Sequence, residues 1–305
     1  MTREEAQVAA LVRDRLGVEP RAVLPLAGGE VGHVFRVDTD GGAYAVKFVR
    51  ARPEPAFADE PVDDRVYGSR WSNLEPAYDL LKANGIAVPT LRATGAVADR
   101  GLSYAILDYL DGDPDDGSSP WAACVGRVLG RMHGVTRPYW GWVGMSPSDA
   151  MSWSAGFAAS FHGWQARAKD HLPPRLAQAV EQRCRPLLTG LGEPTRFVFS
   201  HTDGFQGVLK KADGWSLLGV IDIEDHQFTD QRFVLAGFEL SRVFYGQPVD
   251  PAFWKAYAAV TPVDPSYEDS KPLFQAFYLL VWTWVFRDRP GLRDPAIAQL
   301  ERVAG

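Results

Sequence analysis

The chain has 305 residues, 46% of them hydrophobic and 23% charged, the make-up of a folded globular protein large enough for two lobes. With 32 Lys and Arg against 38 Asp and Glu the formal charge is −6, an excess of acid that argues against a nucleic-acid backbone or an anionic membrane as main partner. Two cysteines, Cys124 and Cys184, are too few for a disulfide framework or a four-cysteine zinc site, so a reducing, cytoplasmic setting is expected.

The N-terminus carries no apolar core of a signal peptide. Thr2 and Glu5 fit a capping box, and Val8, Leu11, Val12 and Leu16 recur on one face, which predicts an amphipathic helix. Three β-prone runs follow, Arg21–Leu26, His33–Val37 and Tyr44–Val49, with a hairpin turn at Asp40-Gly41-Gly42. Ser72 and Glu75 fit a second capping box, opening a helix that runs to about Ala83 and stops at Asn84-Gly85. Two more strands are expected near Leu91–Ala96 and Ser103–Tyr109. The acidic, Gly- and Pro-rich segment Asp111–Pro120 is the expected lobe boundary.

Beyond it the pattern turns helical: Trp121–His133, Ser152–Asp170 and Arg175–Leu188. One β-like island interrupts it, read as a pair of strands, Arg196–Ser200 and Trp215–Ile223, joined by a loop. Helices resume near Phe233. The longest apolar run, Ala276–Phe286, spans 11 residues, too short to cross a bilayer and suited to a buried helix.

Residues with chemistry sit at the ends of these runs. His201-Thr-Asp203 follows the first strand of the island, and Asp222 closes the second. Paired strands would bring both acids into one cleft, where one carboxylate orients a hydroxyl and the other holds Mg²⁺ on phosphate oxygens. Loop caps and a solvated acidic run are the alternative. Lys47 stands in an otherwise apolar strand and must either snorkel outward or meet an anion. Ala27-Gly-Gly-Glu-Val-Gly32, between two strands, would let backbone N–H groups approach phosphates. Glu75 either pairs with Lys47 or simply closes its capping box.

The order Gly-rich turn, strand Lys, helix Glu, His-x-Asp loop and strand-end Asp resembles the aminoglycoside phosphotransferase family of protein-kinase-like small-molecule kinases, over roughly Val23 to Phe244. Supporting pieces are Gly85-Ile-Ala-Val-Pro89, Leu107-Asp-Tyr-Leu-Asp-Gly112 and Val128-Leu-Gly-Arg-Met-His133. The resemblance implies an α+β, bilobal, protein-kinase-like fold: a β-rich nucleotide-binding lobe over 1–108, a hinge over 109–120, and a helical lobe over 121–305 with the catalytic loop and acceptor site. It implies Asp203 as catalytic base and Asp222 as metal carboxylate. Lys47, Glu75, Gly28, Gly29, Gly32 and the linker residues Asp108, Tyr109 and Leu110 become nucleotide contacts, and Asp230 a structural acid. The co-substrate is ATP or GTP with Mg²⁺. The other partner is a small-molecule acceptor, with no nucleic acid or membrane, in a monomer or homodimer.

One position departs from the family pattern. Five residues after Asp203, where the family has a metal-binding Asn, stands Val208, which has no donor atom. Gln206 is the neighbouring amide, and we assign it the second metal contact. His133 is expected to be packed and structural, His201 to brace its loop, and His33 to be exposed. Glu224 and Asp225 orient ligands or form a solvated run, and the stripe Phe274, Phe277, Tyr278, Trp282 and Phe286 is core.

Charge bears on the acceptor. Residues 1–112 hold 17 acids and 13 bases, and residues 113–305 hold 21 and 19, so the second lobe has little net acid for a polycationic drug. Its tryptophans, where exposed, suit sugar faces or a nucleobase. The expected activity is transfer of a γ-phosphoryl group to a hydroxyl of an antibiotic or a glycosidic or nucleoside-type metabolite. A housekeeping sugar or amino-alcohol kinase and a catalytically weak pseudokinase acting as a regulator are the alternatives.

Overall fold

The first helix, α1 (Arg3–Leu16), begins with the expected capping box: Thr2 Oγ1 accepts the Glu5 N–H at 3.2 Å and Glu5 Oε2 accepts the Thr2 N–H at 2.7 Å. The computed structural model describes residues 2–26, 33–50, 61–67, 70–97, 101–202 and 204–305. The chain divides into two compact units interleaved along the sequence. The first takes Met1–Glu54, Ala87–Pro114 and Gly207–Ile221; the second takes Pro55–Ile86, Asp115–Gln206 and Asp222–Gly305.

In the first unit β1 (Pro20–Pro25), β2 (His33–Thr39), β3 (Gly42–Arg50), β4 (Leu91–Val97) and β5 (Leu102–Asp108) form one antiparallel sheet in the order β1-β2-β3-β5-β4. Thr39 pairs with Gly42, so Asp40-Gly41 is a two-residue hairpin loop. Val8 and Val12 of α1 pack on Phe35, Val37, Val46, Tyr104 and Ile106, the inward positions of a period-two pattern.

The second unit is mostly helical: α2 (Val62–Val66), α3 (Leu74–Ala83), α4 (Ser119–Gly134), α5 (Trp153–Ala168), α6 (Pro174–Thr189), and then, after the strands described next, α7 (Gln231–Phe244), α8 (Pro251–Ala258), α9 (Tyr267–Val285) and α10 (Pro290–Ala304). Its core is aromatic. Phe157 lies 5.1 Å from Phe274 and from Phe277, and Phe233 stacks on Tyr278 at 4.6 Å. The run Ala276–Phe286 lies within and just beyond α9 and is largely buried, and no helix among the described residues is long and apolar enough to cross a membrane.

The β island corrects the sequence expectation. β7 (Phe197–His201) pairs not with the strand before Asp222 but with β10 (His226–Thr229) and with the short β6 (Thr136–Arg137). The strand before Asp222, β9 (Trp215–Val220), pairs instead with β8 (Gly207–Lys211), a strand where the sequence pattern predicts a loop. Asp203 and Asp222 therefore follow strands of different sheets. β10 escaped notice because His-Gln-Phe-Thr is short and shows no apolar alternation; all four residues are buried by their surroundings.

Candidate active site

Lys47 is placed by strand alternation. Val46 enters the core of the first unit, so the half-buried Lys47 projects from the opposite face, in register with Val34 on one side and Ala105 on the other. Gly28, Gly29 and Gly32 lie outside the described residues. Asp108 is a structural acid: Arg92 grips it through two bonds of 2.7 and 2.9 Å, which hold its carboxyl below the usual range. The Asp108 and Tyr109 N–H groups donate to the carbonyls of Thr90 and Ala43, and the Arg36 guanidinium covers the Tyr109 ring at 4.5 Å. The Leu110 carbonyl accepts the Gly112 N–H. Asp113 then ties the linker to β8, accepting the Lys211 N–H at 2.8 Å. Val208, the residue in the family's Asn position, faces this linker: a Cβ on Gly112 would come within 2.3 Å of its Cγ1. That packing, rather than metal binding, is what Val208 does.

Asp203 lies outside the described residues, but both sides of its position are held. On one side the Thr202 carbonyl accepts the buried Tyr278 hydroxyl of α9. On the other, Gly204 has φ +97° and sits so close to α7 that a Cβ would meet the Phe238 Cα at 2.9 Å. Only glycine satisfies both demands. The buried His201 places Nε2 3.5 Å from Asp225 Oδ2, which supports its expected bracing part.

Asp222 is the one non-glycine with positive φ among the described residues, at φ 54° and ψ 45°. The left-handed region costs a non-glycine residue about 1 kcal/mol or more, so neighbours must hold it. They do. The Asp222 carbonyl accepts from His226 Nδ1 at 3.0 Å and from the Asp225 N–H at 3.1 Å. With Nδ1 donating, His226 is the neutral tautomer, and burial, aided by His201, pushes its pKa down to about 3. The Glu224 carbonyl accepts the Arg70 N–H at 3.0 Å, and Glu224 is buried rather than part of a solvated acidic run. Gln206 is half-buried and belongs, like Asp222, to the second unit.

Glu75 is exposed in the first turn of α3, in the second unit, whereas Lys47 belongs to the first. The second capping box does not form. A 3₁₀ turn over Trp71–Asn73 precedes α3, and Asn73, the capping residue just before that helix, makes no side-chain cap bond. Its amide reaches instead to the carbonyls of Ile223 at 3.3 Å and His226 at 2.6 Å, and accepts the Val143 N–H at 3.0 Å. Sequence reasoning missed Asn73 because, inside the Ser72–Glu75 box, it reads as an ordinary first-turn residue. It also missed Tyr278 and Gly204, whose parts depend on which helices pack behind the loop.

The remaining expectations divide. His133 is fully buried against the Tyr257 hydroxyl at 2.6 Å, with a pKa lowered to about 3 by burial. His33 is exposed. Asp230 caps α7 through the Arg232 N–H at 2.8 Å and pairs with that guanidinium at 2.6 Å. Half of the ten tryptophans are buried, Trp140, Trp142 and Trp153 almost completely and Trp164 and Trp215 nearly so, leaving Trp71, Trp121, Trp254, Trp282 and Trp284 as half-exposed aromatic surface in the second unit.

The model of the phosphotransferase enzyme family matches residues 22–262. No curated protein sequence matches the chain. Among solved structures it is similar to a protein described as a fructosamine-3-kinase from Thermobifida fusca, with a TM-score of 0.67 and 22% identity over 97% of this chain and 98% of that one. It is similar to aminoglycoside phosphotransferase APH(4)-Ia solved with AMP-PNP and hygromycin B, with a TM-score of 0.68 and 14% identity over 98% and 97% of the two chains. A macrolide 2'-phosphotransferase type I matches with a TM-score of 0.64 and 15% identity over 98% and 97%. At these identities the structures show the shared protein-kinase-like fold.

Proposed function

The chain belongs to the phosphotransferase enzyme family, and from that premise we propose that it transfers the γ-phosphoryl group of ATP or GTP to a hydroxyl of an antibiotic or a related glycosidic or nucleoside-type metabolite. The observation that carries this reading is the Asp222 turn: a carboxylate-bearing residue held in a costly left-handed conformation by buried neighbours. Such an arrangement is kept where a side chain must be presented in one direction.

Asp222 and Gln206 are the residues that would hold Mg²⁺. No group of three His, Cys, Asp or Glu side chains among the described residues is placed for a metal. One carboxylate and an amide oxygen nevertheless fit an ion that takes its other ligands from phosphate oxygens and water. Mg²⁺, when bound, supplies charge neutralisation on the triphosphate. Lys47 would contact the phosphates, with the glycine turn at Gly28, Gly29 and Gly32 covering them, and the backbone of Asp108, Tyr109 and Leu110 would receive the base. Asp203 would accept the acceptor hydroxyl's proton as that oxygen bonds to the γ-phosphorus and the nucleoside diphosphate leaves. Most of the acceleration would come from positioning and charge complementarity. In this reading residues 1–108 serve the nucleotide, 109–120 the hinge, and 121–305 the acceptor.

A sugar-bearing acceptor agrees with the near balance of charge in residues 113–305 and with neighbours named for fructosamine, aminoglycoside and macrolide acceptors. The test is phosphate transfer from ATP and GTP across a panel of antibiotics, sugars and amino alcohols, with Asp203→Ala beside the wild type. Transfer abolished in that variant supports the reading. Turnover of sugars or amino alcohols alone supports the housekeeping alternative, and nucleotide binding without transfer to any acceptor supports the regulator.

A further inference from the structure

The main-chain carbonyls of Asp222, Ile223, Glu224 and His226 accept hydrogen bonds from within the segment or from residues 70–73. The Asp222 carbonyl is taken by His226 Nδ1 and the Asp225 N–H, and the Ile223 carbonyl by the His226 N–H and by Asn73 Nδ2. The Glu224 carbonyl is taken by the Arg70 N–H, and the His226 carbonyl by Asn73 Nδ2. Asn73 is buried, and its orientation is unambiguous. Two carbonyl partners require the NH₂ end, and the Val143 N–H requires the oxygen end. One side chain thus joins the head of α3, the loop at Val143 and both ends of the 3₁₀ turn that follows Asp222.

We infer that Asn73, together with His226, is a positioning pair for the metal carboxylate: they hold Asp222 in its left-handed conformation and tie its turn to the helix that carries Glu75. This rests on the assignment of Asp222 to Mg²⁺. An unheld Asp222 would relax toward right-handed or extended backbone, which L-residues prefer, and its carboxylate would turn away from the direction the fold now gives it. The tie has a second consequence. Because Asn73 immediately precedes α3 as its capping residue, the first turn of that helix and the Asp222 turn move as one piece. Neither residue touches substrate in this account. Both act through the backbone of the 222–226 segment.

The experiment is calorimetric titration of the full chain with ADP, once in Mg²⁺ and once in EDTA, together with melting temperatures and the kcat and KM for ATP. In the wild type Mg²⁺ strengthens ADP binding by about tenfold or more. Asn73→Ala and Asn73→Asp, the latter keeping the acceptor for Val143 but losing both donors, should shrink that gain to about threefold or less while the EDTA affinity stays within about twofold of wild type. His226→Leu should do the same, and His226→Asn, whose amide can still donate to the Asp222 carbonyl, should restore most of the gain. A lower kcat at an unchanged EDTA affinity completes the signature. Should the Asn73 and His226→Leu variants melt earlier yet keep the full Mg²⁺ gain, the pair is merely structural and the inference is overturned. Asp222→Ala separates the two levels. If it abolishes the gain and the Asn73 variants do not, the tie alone fails. If it keeps the gain, or if the wild type shows none, the metal assignment fails and takes the tie with it.

Discussion

The two units hold their candidate site residues in opposite ways. In the first, Lys47 rides on a strand face whose other side is packed on α1, and the charges nearby are paired at the rim, as in Arg92–Asp108 and Arg36–Asp38, where all four side chains keep solvent contact. In the second, the loop around position 203 and the turn after Asp222 are fastened by their carbonyls to side chains rooted in a buried aromatic core: Tyr278, which stacks on Phe233, and Asn73 and His226, which are themselves buried. A long lysine on a strand face can adjust to a flexible triphosphate by rotamer changes. A carboxylate that must meet a metal or a hydroxyl at one distance gains from a backbone that does not adjust, because preorganised groups need no rearrangement as the reaction proceeds.

Substitutions can break this contrast. The largest effect is expected at Asp203: Asp203→Ala should lower kcat by about 10²- to 10⁴-fold, as loss of a general base does, whereas Lys47→Ala should act mainly on the KM for the nucleotide. Steady-state kinetics on both variants checks this, and equal kcat losses would erase the distinction between the units.

Core truncations come next. Phe233→Ala, at the centre of the aromatic cluster, should cost about 5 kcal/mol, and Phe35→Ala in the thinner core beneath the sheet about 3 kcal/mol, the two ends of the range for buried aromatics. Denaturant unfolding followed by tryptophan fluorescence measures both.

A pH effect sharpens the contrast further. Burial lowers the His133 pKa from 6.5 to about 3, so below pH 6.5 the unfolded chain takes up a proton that the folded chain refuses. Stability should therefore fall as pH drops from about 6.5 toward 3, with His133 contributing roughly tenfold in the folding constant per unit beside a like share from His226. His133→Gln, which can still bond Tyr257, should flatten that slope; an unchanged slope would assign the loss to other groups. The smallest effect belongs to the rim: Arg92→Ala should shift the unfolding midpoint least of these variants, and less still in high salt, since the pair is solvent-exposed.

Much of this was legible beforehand. The helix at Thr2, the hairpin at Asp40-Gly41 and the stop at Asn84-Gly85 are written in local signals, and each appears within a residue or two of its expected place. Lys47, Asp203 and Asp222 could be singled out because a polar residue inside or just after an apolar strand is conspicuous. Strand pairing was not legible. Nothing in Arg196–Ser200 or Trp215–Ile223 says that each run pairs with a different, less apolar neighbour, because β8 and β10 are made strands by their partners rather than by propensity. The failed capping box at Ser72 and Glu75 has the same origin. The local motif was present, but α3 starts after Asn73, and the Asn73 side chain goes to the carbonyls of Ile223 and His226 rather than to the helix end.

By itself, then, the sequence determined which residues are chemically equipped and the order in which they arrive: a β-rich stretch, a strand lysine, a His-x-Asp loop and a strand-end acid, enough to identify the family. Only the tertiary structure decided how the strand-end acid is aimed. Direction at Asp222 is set by a backbone conformation that no side chain prefers, and such a conformation persists only where hydrogen bonds from residues some 150 positions away in the chain, Asn73 to Ile223 and to His226, outweigh its local cost.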